Sequence, residues 1–276
     1  DLDVTATSTD GSSVTETFRI DVTEFDEPPV AKDDGATVGL TKTSFYYSDD
    51  DGEIHLISSD GSDVVIGSTG VGAMTDIALD NSGNLYGITF NKLYSIDPDT
   101  GEATKISSSR FGTSMNALEF GPDGTLYAAD SSGKLYTVDV SDGSLTKIGK
   151  MEYGSAGDLA FSGDKLYLSA SNGKIVEIDP DSGATIDVVA TLPVSNAFGL
   201  VGDEGGQLYA FTNGGRVYQI DPDTGTVSVP DAYVMNDSGW GATETADSSG
   251  QTAKVEGNVL TNDTDAEGAL TVTNVS

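Results

Sequence analysis

Carboxylates are the reactive groups this sequence holds in quantity. Ile-Asp-Pro-Asp-Thr-Gly stands at 96–101 and again at 220–225, with Val-Asp-Val-Ser-Asp-Gly at 138–143 and Ile-Asp-Pro-Asp-Ser-Gly at 178–183. Clustered carboxylates suit calcium, which takes six to eight oxygens, and a spaced pair suits glycoside cleavage by acid and base. The same letters also compose a turn. Proline fits its first corner, Asp or Ser bonds its own backbone, and glycine takes the positive φ of a bulged hairpin. Turn chemistry accounts for Asp97, Asp139, Asp179 and Asp221 without a ligand, and weak surface calcium binding is the alternative. Other chemistries have thinner material. The single histidine, His55, aligns with Tyr94, Tyr136 and Tyr218, so a Ser-His-Asp site rests on a residue with a structural explanation. No cysteine is present for a thiolate nucleophile, a disulfide or a thiolate zinc site, and no phosphate-cradling glycine loop leads into a helix.

The elements that must position these groups show as a repeat. Leu-Tyr pairs begin at 85, 126, 166 and 208, a period of about 40 residues. Each unit reads as an apolar first strand, the Leu-Tyr strand, a third strand, the acidic turn and a fourth strand. Four antiparallel strands per unit make a propeller blade. A fifth copy at 45–68 lacks its first strand, and Gly-Trp-Gly-Ala-Thr-Glu-Thr-Ala-Asp at 239–247 supplies one at the other end of the chain. Closure of the first blade by the C-terminal strand removes an open sheet edge. The expectation is an all-β chain with a five-bladed β-propeller over residues 38–247. Asp76, Glu119, Asp158, Asp203 and Glu244 then fall on or beside first strands. They read as occupying non-equivalent positions with no glycosidase signature, so no enzymatic activity is expected.

Composition narrows the partners. The 276 residues carry 45 Asp plus Glu against 13 Lys plus Arg, a formal charge of −32. That balance repels phosphate backbones and anionic lipid and favours divalent cations. No nucleic-acid partner and no membrane insertion are expected, and no run approaches the roughly 20 apolar residues of a spanning helix.

The two ends are not propeller sequence. Residues 2–34 form two alternating segments joined at Thr-Asp-Gly-Ser and followed by an acidic, proline-bearing linker, and both ends of the chain read as continuing beyond it. This stretch resembles the last hairpin of a cadherin-like or VCBS-type immunoglobulin-like repeat. Asn-Val-Leu-Thr-Asn-Asp-Thr-Asp-Ala-Glu-Gly-Ala-Leu-Thr-Val at 258–272 resembles the opening strands of the same class, found in tandem in large secreted RTX-type adhesins of Gram-negative bacteria. The central repeat resembles the Leu-Tyr/Ile-Asp-Pro propellers of bacterial surface proteins. The resemblance implies an extracellular, cell-surface location, extender segments at 1–37 and 248–276, and neighbouring extender domains as partners within the same chain. It also implies a β-sandwich portion formed by one or both end segments, which pair with each other or belong to separate domains. Such repeats hold Ca²⁺ at their junctions. The candidate ligands are Asp26, Glu27, Asp33 and Asp34 in the linker and Asn262, Asp263, Asp265 and Glu267 at the other end, where a solvated polar turn is the alternative.

A ligand is expected on the face where fourth strands exit toward the next blade. Those loops vary between units while the strands do not, and variation on a repeated scaffold is where function sits. They carry Met74, Phe111, Met115, Tyr153, Phe198, Tyr233 and the only tryptophan, Trp240, among Asp76, Asn116, Asp158 and Asn196. Aromatic faces beside short polar side chains suit a sugar or a peptide, and packing between blades is the alternative for each aromatic. The functional expectation is an adhesion module binding a cell-surface or extracellular carbohydrate or protein, with a ligand-free spacer and a glycoside hydrolase as alternatives.

Overall fold

The computed structural model describes residues 2–7, 13–18, 35–37, 44–107, 111–203, 205–245, 254–256 and 271–275, and divides the chain into two units, 42–249 and 1–41 with 250–276.

The larger unit is a five-bladed propeller of four-stranded antiparallel sheets. In chain order, four blades are Asp76–Leu79 to Ala103–Lys105, Met115–Phe120 to Ser144–Lys150, Ser155–Ser162 to Thr185–Thr191, and Ala197–Gly202 to Thr226–Ser228. The remaining blade takes Ser44–Ser48, Glu53–Ser58 and Asp63–Ser68 from the start of the unit and Gly241–Glu244 from its end. Gly241 pairs with Ser48, Ala242 with Tyr47, Thr243 with Tyr46 and Glu244 with Phe45. The closing strand thus stands where the sequence placed it.

Crowding at the axis explains the strand compositions. Each first strand touches the first strands of both neighbours, closing a ring, and small side chains recur along these strands, with Ala78, Ala117, Ala160 and Ala242 buried. Second strands are covered on both faces, and Leu126–Asp130 is buried throughout. Fourth strands form the rim and leave Val64, Val65 and Ile186 exposed. The cores lie between blades, five clusters for five gaps. The gap beside the closed blade is aromatic, with the Phe45 ring 5.0 Å from Tyr209, 5.7 Å from Phe211 and 5.2 Å from Tyr233. Burying a side chain of that size contributes about 1.5–3 kcal/mol.

His55 belongs to this closure. Its Nε2 lies 3.2 Å from Asp49 Oδ2, and its Nδ1 lies 2.9 Å from the Tyr47 hydroxyl and 3.2 Å from Asp63 Oδ1. Asp63 Oδ2 in turn accepts the Asn236 N–H at 2.6 Å, tying the closing loop to the first blade. In the Met115–Lys150 blade the matching Tyr136 hydroxyl donates to Asp130 at 3.4 Å, so His55 stands in for a repeated tyrosine.

The acidic motif is a turn. The Asp97 carbonyl accepts the Gly101 N–H at 2.8 Å, the Asp97 side chain accepts the Asp99 N–H at 2.9 Å, and Gly101 has φ of +75°. The same backbone bond recurs from Gly143 to Asp139, Gly183 to Asp179 and Gly225 to Asp221.

In the smaller unit Leu2–Thr7 lies between Ser13–Phe18 and Thr271–Val275 in a three-stranded sheet, and Gly35–Thr37 pairs with Lys254–Glu256. Among the described residues this unit shows those strands and no β-sandwich. The expected calcium ligands Asp26, Glu27, Asp33, Asp34, Asn262, Asp263, Asp265 and Glu267 lie outside the described residues.

Candidate functional site

The exit-loop face does not present the surface expected of it. Met74 is fully buried against Ile54, Ile77 and Ile96, and Phe111 and Met115 are buried with Leu93, Leu118 and Leu126. The exit loop must cross the gap between blades, and these three side chains fill it; they are core residues and not ligand contacts. Tyr233 is buried in the aromatic gap. Asp76, Asn116 and Asp158 are buried too, within the wall of the channel rather than on the loops. Tyr153 is half-buried beneath Lys174, whose ammonium lies 4.5 Å from the ring centroid and donates to its hydroxyl at 3.0 Å. Asn196 donates from its side-chain amide to Asn213. What remains as an aromatic platform is Phe198 and Trp240, both half-buried, with ring centroids 5.7 Å apart.

The cavities open on the other face, where first strands end and the acidic turns lie. One, of about 300 Å³, sits at the channel mouth, lined by Asp80, Asn81, Glu119, Phe120, Phe161, Thr243, Glu244 and Thr245 among others. A second, of about 440 Å³, shares Asp80, Asn81 and Phe120 with it and runs outward over Tyr86 and Val138. The rings of Tyr86 and Phe120 lie 5.4 Å apart along this path.

Ladder register explains how the acids reach the mouth. Glu119 pairs opposite Tyr127, at the place held by Ala78, Ala160, Val201 and Thr243 in the other blades. Glu244 pairs opposite Phe45, at the place held by Leu79, Phe120, Phe161 and Gly202. Two positions that are otherwise apolar or small therefore carry carboxylates, a break in the repeat that the sequence already displays. Burial pushes the Glu119 carboxyl well above the usual carboxylate range, with the charges of Asp158 and Glu244 adding to it. The Asp203 side chain is a turn residue, accepting the Gln207 N–H at 2.8 Å and the Tyr209 hydroxyl at 3.1 Å.

Deeper in the channel, Asp76 pairs opposite Ile88 and Asp158 opposite Ser169, so these two do occupy equivalent positions, contrary to the reading of the five acids as unrelated. Ala117, Gly199 and Gly241 complete that ring of five. Asp76 accepts the Ile77 N–H at 2.8 Å and the Leu118 N–H at 2.6 Å; Asp158 accepts the Leu200 N–H at 2.6 Å and the Ala242 N–H at 3.3 Å. Each carboxylate thereby fastens first strands of other blades. Burial raises both well above the usual range, and for Asp76 the charge of Asp158 raises it further. A third acidic group, Asp49, Glu53 and His55, brings three potential metal-ligating atoms within 4.8 Å of one another. There His55 Nε2 already faces Asp49 in the bond that Tyr136 makes to Asp130.

A five-bladed propeller with carboxylates at its channel mouth and a buried carboxylate pair on its first strands is the class that fold and site define. The chain belongs to the family described as a repeat of unknown function, DUF6923, which matches residues 107–249, just over half of its length. No curated protein matches it. Among solved structures it is similar to a protein of unknown function from Bacteroides thetaiotaomicron, with 16% identity and a TM-score of 0.50 over 77% of this chain and 67% of that one. That likeness concerns the fold alone. A structure from work on the de novo evolutionary emergence of a symmetrical protein shares 23% identity, with a TM-score of 0.49 over 72% of this chain and 94% of the other. A catalytically inactive virginiamycin B lyase from Staphylococcus aureus, solved with quinupristin, shares 13% identity, with a TM-score of 0.44 over 71% and 72% of the two chains.

Proposed function

We propose that the propeller is a non-catalytic carbohydrate-binding module of an extracellular bacterial adhesin, with its ligand at the channel mouth and along the groove beside it. The make-up of the joined cavities carries this reading. Acceptors on Asp80, Glu119 and Glu244 and the amide of Asn81 meet sugar hydroxyls, while Phe120, Phe161 and Tyr86 offer apolar faces to the ring. The flanking segments act as extender repeats with an immunoglobulin-like sandwich, on the surface of a Gram-negative bacterium, with Ca²⁺ at the linker carboxylates named above. A glycan array probed with the full chain tests the module. A specific hit weakened about fivefold by Glu119→Gln supports it, since a hydrogen bond contributes about 0.5–1.5 kcal/mol. Binding unchanged by that substitution moves the ligand elsewhere.

One observation favours a second reading, a glycoside hydrolase. Burial, with neighbouring charge added, raises the Glu119 carboxyl well above the usual range, and it shares its cavity with Glu244, the pairing of a general acid with a second carboxylate. Turnover of a glycan that binds, abolished by Glu119→Gln, is its signature; binding without turnover leaves the module reading standing.

A further inference from the structure

The ring of Asp76, Ala117, Asp158, Gly199 and Gly241 is built to hold two carboxylates and nothing else large. A Cβ on Gly241 would overlap the Asp76 carboxylate and its Cα, so the glycine is the space the acid occupies. The two carboxyl groups come within hydrogen-bonding reach of each other, both have no solvent exposure, and among the described residues neither is in an ion pair with a Lys, Arg or His. Backbone N–H groups satisfy three of their four oxygens. The fourth, Asp158 Oδ1, has no donor.

Other buried acceptors at the same end of the channel are in the same condition. Asn116 lies one residue before the ring on the neighbouring first strand. Its amide nitrogen donates to the Ser155 carbonyl at 3.1 Å, which fixes the side chain between the two strands, and its Oδ1 is left with no partner. The Ser155 hydroxyl, one ladder rung from Asp158, has no partner either. Buried polar atoms are ordinarily satisfied, and leaving an acceptor unpaired is destabilising. Here the unsatisfied atoms are two acceptors and a hydroxyl, and each of those oxygens can serve a cation.

We propose that the channel binds one Ca²⁺ between Asp76 and Asp158, with Asn116 Oδ1 and Ser155 Oγ completing the protein's share of its oxygens. The charge of the ion matches that of the two carboxylates. An all-oxygen donor set without thiol or imidazole selects a hard cation, and calcium tolerates the uneven geometry of side chains drawn from different blades better than magnesium, which demands a near-ideal octahedron. With the ion in place, the blades carrying Asp76, Asn116 and Asp158 are joined at the axis, so the ring gains a fastening independent of the closing strand.

Trp240 makes the site measurable. It is the only tryptophan and adjoins Gly241, which lies against Asp76. Tb³⁺ is added to the calcium-free full chain, its luminescence excited through that tryptophan, and Ca²⁺ is used to displace it. The expected result is a saturable signal reversed by Ca²⁺, weakened at least about tenfold in Asp158→Asn and in Asn116→Ala, and unchanged in Asp263→Asn/Asp265→Asn, which alters the ligands expected in the C-terminal segment. Asn116→Ala leaves both acids in place and reads out the site even if Asp158→Asn fails to fold. Absence of a tryptophan-sensitised signal in the parent, or an equal signal in Asn116→Ala, overturns the proposal and leaves the carboxyl pair sharing a proton.

Discussion

The two faces of the ring are made from the same strands, yet their loops do different work. On the exit-loop face the connections must cross from a rim strand to the next blade's axial strand, and Met74, Phe111 and Met115 are drawn into the gap they cross. On the acidic-turn face the connections are tight hairpins that satisfy themselves, so the ends of the first strands stay open around the channel. Loop variability on the first face reflects five differently filled gaps. Side-chain variability at strand ends on the second face creates a cavity.

The largest effect that can break this contrast is on stability. Phe111→Ala is expected to cost about 3–5 kcal/mol and Met115→Ala about 2–5 kcal/mol, as for other core truncations, read by urea denaturation. Losses within about 0.5 kcal/mol, the range of ordinary surface substitutions, would return both residues to the surface and restore the exit loops as a binding face.

The next effect separates axis from rim by pH. Asp76, Asp158 and Glu119 have raised values in the fold, so above their ordinary values of 3.8 and 4.5 the folded chain holds more protons than the unfolded one. Stability must therefore fall as pH rises through that window. Asp80 and Asp130 are lowered by the hydrogen bonds of their turns, although burial opposes the shift. Their contribution is present above 3.8 and lost as pH falls below it. In chelator the thermal midpoint is expected to rise on acidification from about pH 7 to about pH 5 and to fall in stronger acid. The upper limb should flatten in Asp158→Asn; a limb equally steep in that variant would put its cause outside the channel.

The smallest effect is at the exposed end of the exit face. Trp240→Ala removes one tilted pair with Phe198, worth about 0.5–1.5 kcal/mol beyond area burial. A modest drop in midpoint is expected, with glycan binding intact.

The repeat, the blade count and the closing strand were legible because each rests on local pattern: Leu-Tyr pairs at even spacing, an acidic turn with its glycine, and a unit missing one strand at one end and gaining it at the other. The turn role of Asp97 and its counterparts was legible for the same reason. The site was not, because it depends on register around a closed ring. Glu119 and Glu244 are distant in the chain and share a cavity only once the closing strand docks on Ser44–Ser48. The clue was present as two carboxylates at positions held elsewhere by Ala, Val, Thr, Leu, Phe or Gly, but it becomes visible only when each first strand is aligned by its tyrosine partner. The equivalence of Asp76 and Asp158 was hidden by bulges at the start of the first strands that carry Met115, Ser155 and Ala197. Met74, Phe111 and Met115 misled for the opposite reason, since a loop position suggests exposure until the gap beneath it is known.

The most direct test sets the two faces against each other with one ligand. A glycan identified on the array is titrated into the parent, Phe120→Ala and Trp240→Ala, each shown to be folded. The account expects affinity to fall at least about tenfold in Phe120→Ala, the effect of removing roughly 1.4 kcal/mol of contact, and to stay within about twofold in Trp240→Ala. The reverse pattern, with binding lost through Trp240 and kept without Phe120, would contradict it and place recognition on the exit loops.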